Sequence, residues 1–207
     1  MTEKEAYPEH PVYSKNTIEF ITVAAEFCAF LEGCRYYTPK SFFDKSTKML
    51  SLLYLKASLM PQMEDSSFSE LQQFVTELSY EEQRRNIEQL TGEFDEYLDI
   101  RQEEDGQYTD EFVAYISEDL TDIYQDLRDM IANFQSADVN IMNDAVADCL
   151  DNFQTFWGPK LLNALKAMHT VLYSGKLPVD ENTESYGVGY DRIENESSNI
   201  EIDFFND

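Results

Sequence analysis

The feature that most constrains the fold of this chain is an apolar pattern that recurs every three or four residues between positions 112 and 134. The residues in this pattern are Phe112, Ile116, Leu120, Ile123, Leu127, Met130 and Phe134. Side chains at this spacing share one side of an α-helix, so the pattern predicts a helix of about six turns that packs through that side. Thr109 is the predicted N-cap. Asp110 and Glu111 would follow in the first turn, where acidic groups interact favourably with the helix dipole.

Similar patterns predict helices in most of the remaining sequence. Four of them cover about residues 15–33, 38–61, 139–157 and 161–172, and a weaker helical segment covers 62–78. A further long helix begins at a capping box formed by Ser79 and Glu82 and extends through Leu98. No run of residues alternates with period two for long enough to predict a strand. The predicted fold class is therefore all-α, an antiparallel helical bundle of about five or six helices.

Composition divides the chain into three parts. Residues 1–13 contain Pro8 and Pro11, which disfavour helix in the residues before them, and we expect a flexible N-terminal arm. Residues 14–174 carry the helical patterns and form a single predicted domain. From residue 175 to 207 the apolar pattern is lost among Asp, Glu, Asn and Ser, which predicts a disordered acidic C-terminal tail.

The charge of the chain limits its partners and its compartment. There are 41 Asp and Glu residues against 15 Lys and Arg, which gives a formal net charge of −26. Such a surface repels phosphate groups, so we expect neither nucleic-acid nor membrane binding. The N-terminal sequence has no apolar core typical of a signal peptide. The three cysteines, Cys28, Cys34 and Cys149, lack metal-binding or disulfide spacing, so we expect reduced thiols in the cytoplasm.

Four acidic residues of the strongest helix form a candidate binding surface. Their spacing of three or four residues places them on one side of the helix, beside the apolar side. They are Asp119, Asp122, Asp126 and Asp129. Like charges this close repel one another, so a solvated face and a surface for a cation or a basic partner protein are the two interpretations.

A second constellation suggests metal chemistry. Glu93 and Glu96, and likewise Asp119 and Asp122, are three residues apart, so each pair would share a helix face. Two such pairs on neighbouring helices could hold Mg²⁺ through oxygen ligands. All-α nucleotide pyrophosphohydrolases use a similar layout of acidic pairs. This alternative makes the four residues metal ligands; otherwise the sequence predicts no cofactor.

Two segments carry a resemblance to a known family. Residues 116–127 read ISEDLTDIYQDL and residues 157–169 read WGPKLLNALKAMH. Together they resemble the uncharacterised bacterial domain-of-unknown-function family DUF5063, over about residues 14–173. The resemblance implies a small helical bacterial protein and assigns no catalytic residue.

These observations favour a protein-interaction or regulatory module without catalytic activity, whose partner has a basic face. The magnesium-dependent nucleotide hydrolase is the alternative. A third hypothesis is a DNA mimic, because an ordered row of acids imitates the spacing of phosphates.

Overall fold

A computed structural model describes residues 10–64, 69–102 and 109–178. In these ranges the fold is mostly helical, with six α-helices and two strands, which confirms the predicted class. The helices are α1 (Lys15–Glu32), α2 (Pro39–Ser58), α3 (Glu77–Thr91), α4 (Ile116–Phe134), α5 (Val139–Asn152) and α6 (Gly158–Leu172). The strands are β1 (Glu96–Gln102) and β2 (Thr109–Tyr115). Residues 1–9 of the predicted arm and 179–207 of the predicted tail lie outside the described residues.

The most central helix is α4, which packs against α1, α3, α5 and α6. Its apolar side meets large side chains from α1 and α2 in one continuous core. The largest fully buried residues include Phe20, Phe27, Phe42, Phe43 and Trp157. Within the described ranges, no helix is both long enough and apolar enough to cross a bilayer.

The first described residues pack onto this core. Pro11–Tyr13 form a short 3-10 helix in which Val12 is fully buried. The hydroxyl of Thr17 donates a hydrogen bond to the carbonyl of Pro11 at 2.7 Å. This contact joins the segment to the first turn of α1.

A β-hairpin is the largest difference from the sequence prediction. β1 and β2 pair antiparallel, from Glu96 opposite Tyr115 to Gln102 opposite Thr109. The prediction that the chain contains no strand is therefore wrong, as is the N-cap assigned to Thr109. The segments do not alternate strictly, because Tyr97 and Leu98 are consecutive apolar residues, as are Phe112 and Val113, so the period-two pattern of a strand is lost in the sequence.

The first turn of α4 is capped from outside the helix. The carboxylate of Asp95 accepts hydrogen bonds from the backbone N–H of Ser117 at 2.9 Å and from its hydroxyl at 2.7 Å. Asp95 therefore serves as an N-cap for α4, although it lies 22 residues before Ser117 in the chain. A cap at this distance in sequence leaves no local signal, which is why the start of α4 was misplaced.

Helix α3 is shorter than predicted and begins earlier. Thr76 is its N-cap and forms a capping box with Ser79, so the capping box assigned to Ser79 and Glu82 is wrong. The helix ends at Gly92, whose φ of 54° is accessible to glycine at little cost. Leu98, predicted to lie on this helix, is in β1.

The weaker helix predicted at 62–78 is absent: the described residues before Glu77 in this stretch, 62–64 and 69–76, are not helical. Side chains of α4 and α5 replace the missing helical hydrogen bonds. Asn133 accepts from the N–H of Gln72 and donates to its carbonyl, and Asn143 does the same for Glu64. Each amide thus pairs with the N–H and the carbonyl of one residue, as a neighbouring strand does in a sheet. These hydrogen bonds stabilise an extended backbone. Residues 69–76 are called the extended segment below.

A π-turn joins α5 to α6. Residues Phe153–Trp157 are π-helical, and the N–H of Gly158 bonds to the carbonyl of Phe153. Pro159 has no N–H to donate, so the regular hydrogen-bond pattern cannot pass through it. The regular α-helical pattern is therefore interrupted between α5 and α6.

Candidate functional site

The four aspartates of α4 do not form a solvated face. Asp119 is buried, and Asp122, Asp126 and Asp129 are partly buried. Each accepts a hydrogen bond from a different part of the protein. The row divides into one pair near the hairpin and one pair near the extended segment.

The pair near the hairpin belongs to the lysine cluster, which consists of Lys160, Asp119, Asp122, Tyr80 and Tyr97. The ammonium of Lys160 is 2.5 Å from Asp122 Oδ2 and 3.5 Å from Asp119 Oδ1. Tyr80 donates its hydroxyl to Asp122 Oδ1 at 2.7 Å, and Tyr97 donates to Asp119 Oδ2. The cluster therefore links α3, β1, α4 and α6.

The protonation states of the lysine cluster indicate a structural role. Burial disfavours the charge of Lys160, but its hydrogen bond and attraction to Asp122 outweigh this and raise its pKa. Burial also raises the pKa of Asp119 to about 6, against the opposing effects of Tyr97 and Lys160. A lysine that acts as a nucleophile needs a lowered pKa, so this one serves as a charged cross-link.

The other pair lines a cavity of about 610 Å³ between α4, α5 and the extended segment. We call it the acidic groove. Its carboxylates are Asp126, Asp129 and Asp148, and its apolar wall includes Leu71, Met130 and Phe156. Five amide side chains also line it: Gln72, Gln73, Gln125, Asn133 and Asn152. Among the described residues, no Lys, Arg or His lines the groove.

The walls of the acidic groove are held by hydrogen bonds that its own aspartates accept. Asp129 Oδ1 accepts from the backbone N–H groups of Phe74 and Val75 at 2.7 and 2.8 Å. Asn152 donates to Asp126 Oδ1 at 2.7 Å. Asp129 therefore fixes the extended segment, whereas the donor that Asp126 has among the described residues is the uncharged amide of Asn152.

Asp126 has a perturbed pKa because of this environment. Burial is the main cause of a pKa raised to about 6, and the hydrogen bond from Asn152 opposes it. The nearby carboxylates of Asp148, Asp122 and Asp129 raise the pKa further. At neutral pH the carboxylate is therefore ionised but poorly compensated.

Replacing Asp126 by asparagine is expected to stabilise the protein by about 1 kcal/mol at pH 7.5. The folded state holds the Asp126 proton more tightly than the unfolded state, whose pKa is near 3.9. Stability due to this group is therefore greatest at low pH and is lost as pH rises through about 6. Asparagine removes that loss, and its carbonyl can still accept from Asn152.

Urea unfolding of the wild type and of Asp126→Asn, measured at pH 7.5 and 4.5, tests this expectation. The difference in free energy of unfolding should shrink at the lower pH. A variant that is less stable than the wild type at pH 7.5 would contradict the assignment.

The proposed magnesium ligands are not arranged as the sequence suggested. Glu93 lies in the 3-10 turn after α3, and Glu96 is the first residue of β1, so they do not share a helix face. Asp119 and Asp122 are adjacent on α4 but are bonded to Lys160. Across the described residues, no group of three or more Asp, Glu, His or Cys side chains is placed to hold a metal ion. The hydrolase hypothesis stays a prediction from sequence, without the helix pair on which it depended.

Sequence reasoning missed most of the groove residues. Asn133 and Asn152 interact with elements far from them in sequence, and an amide on a helix gives no local sign of such a role. Asp126 and Asp129 were identified from their spacing. Asp148 lies on another helix, so only the packing of α5 on α4 brings it to them.

Fold and site together define a small, mostly helical protein with an acidic groove beside its central helix. The chain belongs to the family described as domain of unknown function (DUF5063), which matches residues 11–174. The family resemblance seen in the sequence is thus confirmed.

A solved structure supports the same fold. The crystal structure of protein BF1032 from Bacteroides fragilis, a Northeast Structural Genomics Consortium target, is 42% identical to this chain, with a TM-score of 0.73. The match covers 82% of this chain and 100% of that one. None of the curated proteins compared with the chain matches it.

Proposed function

We propose that this protein is an interaction module that binds a basic segment of a partner protein in the acidic groove. The observation that carries the proposal is the uncompensated charge of the groove: three carboxylates line it, and no basic side chain of the described residues does. The ionised Asp126 costs stability in the free protein. A bound cation would offset that cost.

The lining of the groove fits a lysine or arginine side chain. Such a side chain combines an aliphatic stem with a charged end, and the stem packs well on apolar groups. Leu71, Met130 and Phe156 offer apolar contacts, while Asp126 and Asp148 offer acceptors for the charged end. The amide oxygens of the lining provide further acceptors.

The charge of the whole chain supports the same kind of partner. A net charge of −26 attracts a basic protein over a distance and raises its association rate. Salt screens this attraction over about 10 Å at 0.1 M ionic strength. Binding should therefore weaken as salt increases.

Asp126→Asn is expected to weaken binding of a labelled peptide of alternating Lys and Gly about fivefold, equivalent to ~1 kcal/mol, although the variant is more stable. Fluorescence polarisation at low salt measures the change. The matched control is Asp151→Asn, an exposed residue of α5 outside the groove lining that carries the same change in charge.

The Asp151→Asn control distinguishes binding in the acidic groove from attraction to the net charge of the protein. If Asp151→Asn weakens binding as much as Asp126→Asn does, the peptide responds only to net charge and the groove proposal fails. A peptide in which Glu replaces Lys should show no measurable binding to either protein.

We also propose that the protein resides in the cytoplasm. Its three cysteines are free and buried, so its fold depends on no disulfide among them. That state is typical of a reducing compartment.

A further inference from the structure

The β-hairpin exposes an apolar face that the bundle does not cover. Leu98 and Val113 are opposite one another in the register, and Ile100 is two residues along from Leu98, so all three share a face. Their exposed fractions are 68%, 49% and 59%. We call this the outer face of the hairpin.

The opposite face is the one attached to the bundle. Tyr97 bonds to Asp119 in the lysine cluster, and the amide of Asn163 on α6 donates to Asp99 Oδ2 at 2.7 Å. Tyr97 also packs against the core. Because successive side chains alternate between faces, this attachment turns the outer face away from the helices.

One edge of the hairpin is open to a further strand. The sheet has two strands, and among the described residues no third strand pairs with either of them. On β1 the backbone N–H of Ile100 is already bonded to Asp99 Oδ1 at 2.8 Å, which uses a donor that a strand added there would need. The edge of β2, on which Glu111 and Val113 are exposed, is therefore the better candidate for pairing. An isolated two-stranded sheet is marginal in water, so a third strand would stabilise it.

Charge at this edge selects the occupant. Glu111 is opposite Ile100 and Glu96 is two residues before Leu98, so both exposed carboxylates flank the apolar outer face. A second copy of the chain would bring the same carboxylates and a further charge of −26. Like charges placed across a strand pair are destabilising. A strand with basic side chains would instead be attracted by these carboxylates.

We propose that the hairpin binds an extended, basic segment of a partner protein, which adds to β2 as a third strand. An apolar side chain of that segment lies against Val113, and a Lys or Arg two residues along lies against Glu111. Main-chain hydrogen bonds supply affinity and the alternating side chains supply specificity. This surface shares no residue with the lining of the acidic groove, so the two proposals fail independently.

The test is fluorescence polarisation of a labelled octapeptide, Lys-Thr-Val-Thr-Lys-Thr-Val-Thr, with the full chain. We expect Val113→Lys and Glu111→Lys each to weaken binding at least tenfold, since both place a positive charge opposite the peptide. The matched control is Leu78→Lys, at a residue of α3 that is 80% exposed and lies outside the hairpin. The affinity of this variant for the peptide should stay within twofold of the wild-type value. Because the acidic groove is also proposed to bind lysine, the wild-type reference and all of these variants carry Asp126→Asn, which weakens that site equally in each protein.

Two further measurements identify the mode of binding. A peptide with Glu in place of Lys should prefer Glu111→Lys to the wild type. N-methylation of alternate backbone amides on the pairing edge of the peptide should abolish binding, because it removes strand hydrogen bonds without altering charge. Equal affinity of the methylated peptide would overturn the proposal. So would a homodimer, detected by sedimentation, that Val113→Lys dissociates.

Discussion

Replacing Gly158 by alanine is expected to destabilise the protein by about 3 kcal/mol, a loss of roughly 6–12 °C in Tm for a chain of this size. A Cβ at this position would lie 2.1 Å from the carbonyl oxygen of Phe153 and 2.9 Å from its ring. Neither distance is tolerable, and the oxygen belongs to the backbone that forms the π-turn. The turn must therefore open to admit the methyl group.

The expected loss is large because the π-turn is part of the core. Phe153 packs against Trp157 and Tyr54, with ring centroids 4.6 and 5.3 Å apart. Trp157 is fully buried and donates its indole N–H to the carbonyl of Cys149 at 2.9 Å. Movement of Phe153 would disturb these contacts together.

Gly33→Ala is the matched control for this substitution. Gly33 ends α1 with a φ of −89°, and a Cβ there would lie 3.4 Å from the carbonyl oxygen of Ala29, an ordinary contact. We expect its stability to stay within about 0.5 kcal/mol of the wild type. Thermal unfolding followed by circular dichroism compares the three proteins. Equal stability of both variants would show that the junction of α5 and α6 is not built as described.

Lys160→Met is expected to destabilise the protein by about 2 kcal/mol at pH 7.5, somewhat less than for a fully buried ion pair because the ammonium is partly exposed. Methionine retains the length and apolar character of the stem but removes the charge. Asp119 and Asp122 would then lie close together without a cation. The loss should diminish below pH 6, because burial already raises the pKa of Asp119 to about 6 and its protonation relieves the repulsion.

Two variants make this prediction specific to the lysine cluster. Lys166→Met removes the same charge from an exposed position on α6 and should change stability little. Adding Asp122→Asn to Lys160→Met should recover part of the loss, since one uncompensated carboxylate is removed while an acceptor for Tyr80 remains. Urea unfolding at pH 7.5 and 5.5 measures both effects. An unchanged deficit in the double variant would mean that Lys160 acts through packing instead.

Apolar periodicity by itself determined the helices that are amphipathic over many turns. The predicted apolar pattern covers the whole of α4, from Ile116 to Phe134. Its first residue, Phe112, is the exception, because it lies in β2. Short strands do not carry a comparable signal. β1 and β2 are seven residues each, and their stability comes from pairing with one another rather than from either segment.

The acidic row shows the same division between sequence and structure. Spacing alone placed Asp119, Asp122, Asp126 and Asp129 on one side of a helix, which the fold confirms. Their surroundings were not predictable, because a carboxylate takes its properties from the groups that packing brings to it. Lys160 neutralises the first two, whereas the third faces a groove lined without a cation among the described residues.

The sequence on its own determined that this chain forms amphipathic helices, which side of each helix packs, and which acids share a side, since helical geometry relates residues only three or four positions apart. Tertiary structure decided everything that joins distant positions: the hairpin, the cap that Asp95 provides for α4, the extended segment held by asparagines, and the separate roles of the aspartates. Hydrogen bonds and ion pairs act over a few ångströms in space. Their partners here are as far apart in sequence as the 92 residues between Glu32 and Tyr124, so folding had to bring them together before their effects could be known.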